Sequence, residues 1–184
     1  AAQSLIRTER GSFGGAFINH VSYDAARAQQ VTTSTLLLGM NAISFQVACE
    51  ARYALERSCT SLAAARRTDA LLATMRSEID SQSTRDLSDE AFCASDVAFH
   101  RALVDCAGNE VLSYHLAGSV EAMQPLMNMI TFTARSRAEI IDLHRAIVSG
   151  LERRDVASVD RALATLEAYT ITLGQTVLKA RATR

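Results

Sequence analysis

From about Tyr23 onward, apolar residues recur three and four positions apart, with polar residues filling the opposite face, and this spacing predicts helix after helix. A first short helix is expected from about Asp24, as its cap, to Leu38, with Gly39 as its stop. A long one follows from about Ala42 to Arg66, then a third from about Asp69 to Ser81 with Thr68 as cap, and a polar loop over Ser81–Thr84. The fourth runs from about Ser88 to Ala107 and stops at Gly108, and the fifth from Asn109 as cap to about Thr131. Pro125 removes an intrahelical bond there, so a kink or break is expected near Met123. A sixth spans about Ala134 to Gly150, and Asp155 caps the last, about Val156 to Ala182. Before Tyr23 the period changes: Leu5–Ile18 alternates on either side of a glycine-rich turn, the pattern of a short β-hairpin. Glycine-rich tails of no fixed structure also have this composition. The expected fold is all-α, an antiparallel bundle of about six to seven helices with a short N-terminal hairpin.

Composition agrees with this division. A length of 184 residues suits one domain with a fragment of another, and 48% hydrophobic residues supply a core. Nineteen Lys and Arg stand against twenty Asp and Glu, a formal charge of -1, so nothing in the overall balance draws the chain to nucleic acid. No apolar run approaches the ~20 residues of a membrane span and no leader is evident, so a cytoplasmic protein is expected. Cys49, Cys59, Cys93 and Cys106 lack any C-x-x-C spacing and read as small buried hydrophobes in a reducing compartment.

The candidate chemistry lies in Asp96-Val97-Ala98-Phe99-His100. Positions i and i+4 share a helix face, so Asp96 and His100 can aim a carboxylate and an imidazole at one point, as a two-ligand metal claw does. Val97, Phe99, Leu103 and Val104 flank them, which sets the pair close to a core. The same spacing also describes an ordinary exposed helix pair. Arg52 offers a fork suited to a carboxylate, or else a helical pair with Glu56 at i+4. Asn109 either reaches a pocket or only caps its helix. His115 reads as a structural histidine, though it is the other imidazole within the bundle able to complete a ligand set, and His20 reads as surface. Met123, Met127 and Met129 read as core packing rather than a cofactor box.

Four stretches, in order, resemble one family. Leu5-Ile6 through Gly11, Gly14-Gly15 and Phe17-Ile18 is similar to the wing of the GntR winged helix-turn-helix. Glu50-Ala51-Arg52 with Leu55-Glu56, the D-x-x-F-H stretch from Asp96 continued to Gly108-Asn109, and His144-Arg145 with Ile147 resemble the effector-binding FCD domain of the FadR branch. The resemblance implies that residues 1–20 are a truncated wing and 23–184 the effector-binding and dimerising domain of a ligand-responsive bacterial transcription regulator. It further implies a homodimer, a small carboxylate effector met by Arg52, Asn109, His100 and His144, and operator DNA bound only by the full-length protein, Arg7 and Arg10 of the wing touching phosphates. The family's metal ligands fall on Asp96, His100 and His144, while the fourth place falls on Leu166, which cannot ligate. Two imidazoles and a carboxylate can still hold Zn²⁺, Ni²⁺, Mn²⁺ or Fe²⁺, or the site can work metal-free. Two other classes compete: a metal-dependent hydrolase using Asp96, His100 and His144, for which no separate base of convincing spacing stands out, and a purely structural dimerisation domain.

Overall fold

The structure, a computed structural model, describes residues 6–18, 20–40, 43–131 and 134–183, of which 124–131 by their backbone alone. A two-stranded antiparallel hairpin opens it, β1 (Ile6–Glu9) against β2 (Gly15–Ile18), with Ile6 opposite Ile18 and Arg7 opposite Phe17. Both strands are exposed on every residue. Gly11 turns the chain at φ 123°, a conformation that favours glycine. Leu5 lies outside the described residues.

Eight helices follow among the described residues: α1 (Tyr23–Gly39), α2 (Phe45–Ser58), α3 (Thr60–Arg66), α4 (Asp69–Gln82), α5 (Asp89–Asp105), α6 (Glu110–Thr131), α7 (Arg137–Glu152) and α8 (Val156–Ala182). The helical period holds throughout, and the departures from expectation have local causes. Ser22, not Asp24, caps α1, its Oγ accepting from the Ala25 amide at 3.2 Å. The long second helix divides into α2 and α3 at Cys59. There the Ser58 and Thr60 hydroxyls donate to the carbonyls of Leu55 and Arg57, at 2.6 and 2.9 Å, and compete with the helix ladder. Ala42, its expected start, lies outside the described residues, and Ser44 caps α2. No break interrupts α6 at Pro125, since the backbone is helical from Glu110 to Thr131. Helix α7 runs past Gly150 to Glu152, and that glycine serves packing instead: a Cβ on it would come within 2.7 Å of Val159 Cγ2 on α8.

In packing, α4 lies on α5, α5 on α6 and α7 on α8, while α2 lies on α8 and α1 along α6. The main core runs through Tyr53, Met75, Phe92, Phe99, Leu103, Ile147 and Leu163, and a satellite gathers Cys59, Val104, Leu116 and Val120. At Gly174 α8 comes so near α2 that a Cβ would meet Phe45 Cε1 at 2.0 Å. All four cysteines are buried free thiols. Burial pushes Cys49 up to about 12 and Cys106 up to about 11, so both are protonated and inert at neutral pH.

Candidate metal and effector site

In the middle of this core the bundle turns polar at one level. Helix α5 presents Asp96 and His100 inward, one turn apart, and α7 brings His144 from across the bundle. Each offers a ligand atom within 4.8 Å of the other two. His144 Nε2 lies 3.5 Å and His100 Nε2 4.0 Å from Asp96 Oδ1. Both imidazoles are fully buried, and Asp96 is 6% exposed, which removes the exposed-pair reading of Asp96 and His100. The rings meet edge to face with centroids 5.3 Å apart, and Phe99 stacks on His144 at 3.9 Å and 14°.

The outer nitrogens are held. His100 Nδ1 lies 2.8 Å from Glu56 Oε2, and His144 Nδ1 lies 2.8 Å from Gln82 Oε1. Neither Nε2 has a hydrogen-bond partner among the described residues, although both are shut from solvent. Burial, then the neighbouring His100, holds His144 well below the usual imidazole range, so it is neutral with a lone pair to give. Burial alone would raise the Glu56 carboxyl, but His100 and Arg52 outweigh it and hold the group down at about 2. Two orphaned, buried imidazole nitrogens converging on a carboxylate, each ring braced from behind, form a donor set that fits a divalent cation. Asp96, His100 and His144 can therefore hold a metal ion.

The other predicted residues take different places. Arg52 is 1% exposed and its Nε donates to Glu56 Oε1 at 2.8 Å, so the helical pair expected as its alternative forms, and it forms inside the core beside the cluster. Leu166 is buried on α8, where its carbonyl accepts from Thr170 Oγ1, which in turn lies 3.1 Å from Tyr53 OH on α2. Asn109 caps α6, its Oδ1 accepting from the amides of Val111 and Leu112 at 3.1 and 3.2 Å, and it is not brought into the cluster. Arg7 pairs with Glu9 at 3.1 Å and lies over Phe17 in the hairpin, and Arg10 is exposed beside it. His115 is exposed on α6 and lines a separate apolar groove of about 280 Å³ between α1, α2 and α6, together with Leu37, Leu38 and Val47. It does not complete the ligand set. His20 is exposed, and Met123 packs in the core. The side chains of Met127 and Met129 lie outside the described residues. Two residues of the site went unread in the sequence. Gln82 lies within Ser81–Thr84, which reads as polar loop, yet it is the last residue of α4 in the structure, and Glu56 reads only as a partner for Arg52.

The FCD domain matches residues 48–168, well over half of the chain. Solved structures share the fold at low identity. E. coli McbR/YncC is 16% identical over 92% of this chain and 77% of its own, with a TM-score of 0.59. A GntR family transcriptional regulator from Pseudomonas syringae pv. tomato is 17% identical over 99% and 68%, with a TM-score of 0.63. Streptococcus agalactiae GntR is 18% identical over 95% and 76%, with a TM-score of 0.60. No curated protein matches the chain. No helix among the described residues is long and apolar enough to cross a membrane. With the helical bundle, the hairpin and the buried Asp-His-His cluster in place, the chain belongs to the FCD domain family.

Proposed function

We propose that residues 23–184 are the effector-sensing and dimerising domain of a GntR-type transcription regulator, and that a small organic acid binds at the Asp96–His100–His144 level together with a divalent cation. The observation that carries the reading is the pair of buried, unpartnered Nε2 atoms aimed at Asp96. Asp96 stands opposite both unpartnered Nε2 atoms, a place where a cation would be held between the carboxylate and the two rings. A bound cation would supply positive charge and open coordination positions to an effector carboxylate. Leu166 offers no ligand, which leaves one such position more than the family pattern has. Arg52 orients through Glu56, keeping that carboxylate charged and directed at His100.

Residues 1–20 are read as the wing of a DNA-binding domain, in which Arg7 and Arg10 contact phosphate and carry no sequence readout. Self-association is supported by the apolar surface of Leu36, Leu37, Met40 and Val47, exposed on α1 and at the start of α2. Effector binding then shifts the population between two arrangements of a homodimer, and so the spacing of its DNA-reading helices in the full-length protein.

The test is a thermal melt of metal-stripped protein with Zn²⁺ or Ni²⁺, followed by a panel of carboxylic acids. A cation at about a hundred times its Kd stabilises by about 2.7 kcal/mol, and the midpoint should rise by about 5–11 °C. His100→Ala should abolish the shift, and an acid of the right shape should enlarge it. A wild-type protein whose midpoint ignores every cation would refute the metal half of this reading. A midpoint indifferent to every acid, with or without cation, would favour a purely structural dimerisation domain.

A further inference from the structure

We infer that Gln82 is a positioning residue that holds His144 in the tautomer protonated at Nδ1, so that its Nε2 lone pair faces Asp96. The inference rests on the metal-site reading above and adds to it how the site is kept open.

The direction of the hydrogen bonds is fixed from an end that can only accept. Ser95 Oγ lies 2.6 Å from Glu78 Oε2 and 3.2 Å from the Glu78 carbonyl, and neither oxygen has a proton to give, so the Ser95 hydroxyl donates outward. Its oxygen is then left to accept, and Gln82 Nε2 donates to it at 3.2 Å. That settles the amide orientation and turns Gln82 Oε1 toward His144 Nδ1 at 2.8 Å, as an acceptor. The proton of His144 therefore sits at Nδ1. Gln82 is 2% exposed and Ser95 8%, so water does not compete along the chain. His100 Nδ1 also faces an acceptor, the Glu56 carboxylate. One ring is backed by an anion and the other by a neutral amide.

Without Gln82 Oε1 the better acceptor near His144 is Asp96 Oδ1, 3.5 Å from Nε2. The proton would move to Nε2, cover the lone pair and tie up the carboxylate, and two of three ligand atoms would be lost to each other.

Long-range ¹H–¹⁵N correlation spectra of the metal-free full chain read the tautomer directly, with His144 assigned by its absence in His144→Ala. Wild type should show the Nδ1–H form. Gln82→Met, near in size but without an acceptor, should move His144 toward Nε2–H and weaken Zn²⁺ binding by about 10- to 100-fold in chelator competition. Gln82→Glu keeps the acceptor and should restore both readouts. Ser95→Ala releases the amide without emptying its space and should give a smaller shift in the same direction, which keeps the test open if Gln82→Met does not fold. An Nε2–H tautomer in wild type, or an unchanged tautomer in Gln82→Met and Ser95→Ala, would overturn the inference. Should the tautomer respond as stated while wild type binds no metal, Gln82 keeps its role and only the metal reading falls.

Discussion

Replacing Glu56 by Leu should be among the most damaging single changes in the bundle, and the reason can be worked from its contacts. Glu56 is 0% exposed and accepts from both Arg52 Nε and His100 Nδ1, each at 2.8 Å. Leu fills the space but removes the carboxylate that accepts from Arg52 Nε and His100 Nδ1 inside the core, and breaking a buried pair from one side costs about 3–5 kcal/mol. At roughly 2–4 °C per kcal/mol for a chain of this size, the midpoint should fall by about 6–20 °C. Glu56→Gln keeps one acceptor oxygen where the carboxylate offers two, and should lose less than Leu. The double variant Arg52→Met with Glu56→Leu removes both charges and should recover most of the loss. The pH dependence follows from the same group. Its carboxyl is held down to about 2 in the folded chain against an ordinary 4.5, so the unfolded chain binds the proton first. Stability from Glu56 is therefore fully present above pH 4.5 and is lost as pH falls toward 2, by roughly 3 kcal/mol in all. Urea denaturation of wild type and Glu56→Gln between pH 2 and 7 measures both claims. A loss below about 1 kcal/mol for Glu56→Leu at pH 7, the size seen for exposed pairs, would refute the account of a buried, charged anchor.

Three more outcomes are expected. Leu166→His should lower the melting temperature of the metal-free protein, since a buried Leu is worth about 1.5–3 kcal/mol, yet raise Zn²⁺ affinity by calorimetry. No gain in affinity would remove Leu166 from the site. Asn109→Ala should cost about 1 kcal/mol in chemical denaturation through loss of the α6 cap, and a simultaneous fall in effector affinity would restore the pocket role that its observed hydrogen bonds do not require. Gly174→Ala sets a methyl where Phe45 Cε1 stands 2.0 Å away and should destabilise by about 1–3 kcal/mol. A neutral result in the same denaturation assay would mean that the two helices separate at little cost.

What the sequence made legible was what lies within one helix or one turn. The i, i+4 spacing of Asp96 and His100, the caps at Thr68, Asn109 and Asp155, and the alternation of the hairpin are local patterns, and local chemistry decides them. His144 became readable through family likeness, because nothing within α7 says which helix it will face. Glu56 and Gln82 were hidden for the same reason. Each sits on a helix remote in sequence from the ring it braces, 44 and 62 residues away, and a pattern confined to one helix carries no trace of such a contact. The division at Cys59 was missed on other grounds: the helical stripe continues through Ser58 and Thr60, and only their hydroxyls, turned back on the carbonyls of the preceding turn, break the ladder.

The closure of the Asp96 level carries a kinetic consequence. With both imidazoles sealed and Asp96 only 6% exposed, no ligand can diffuse to the site through the bundle as it stands. Exchange has to wait for α5, α7 or their neighbours to part, and such sub-global openings occur on microsecond to second timescales. Association should then saturate with ligand concentration at the opening rate. Residence should be long for the same reason, since a bound acid departs only when the helices next part. On the proposed reading, a regulator built this way would average over brief fluctuations of its effector and answer to sustained ones.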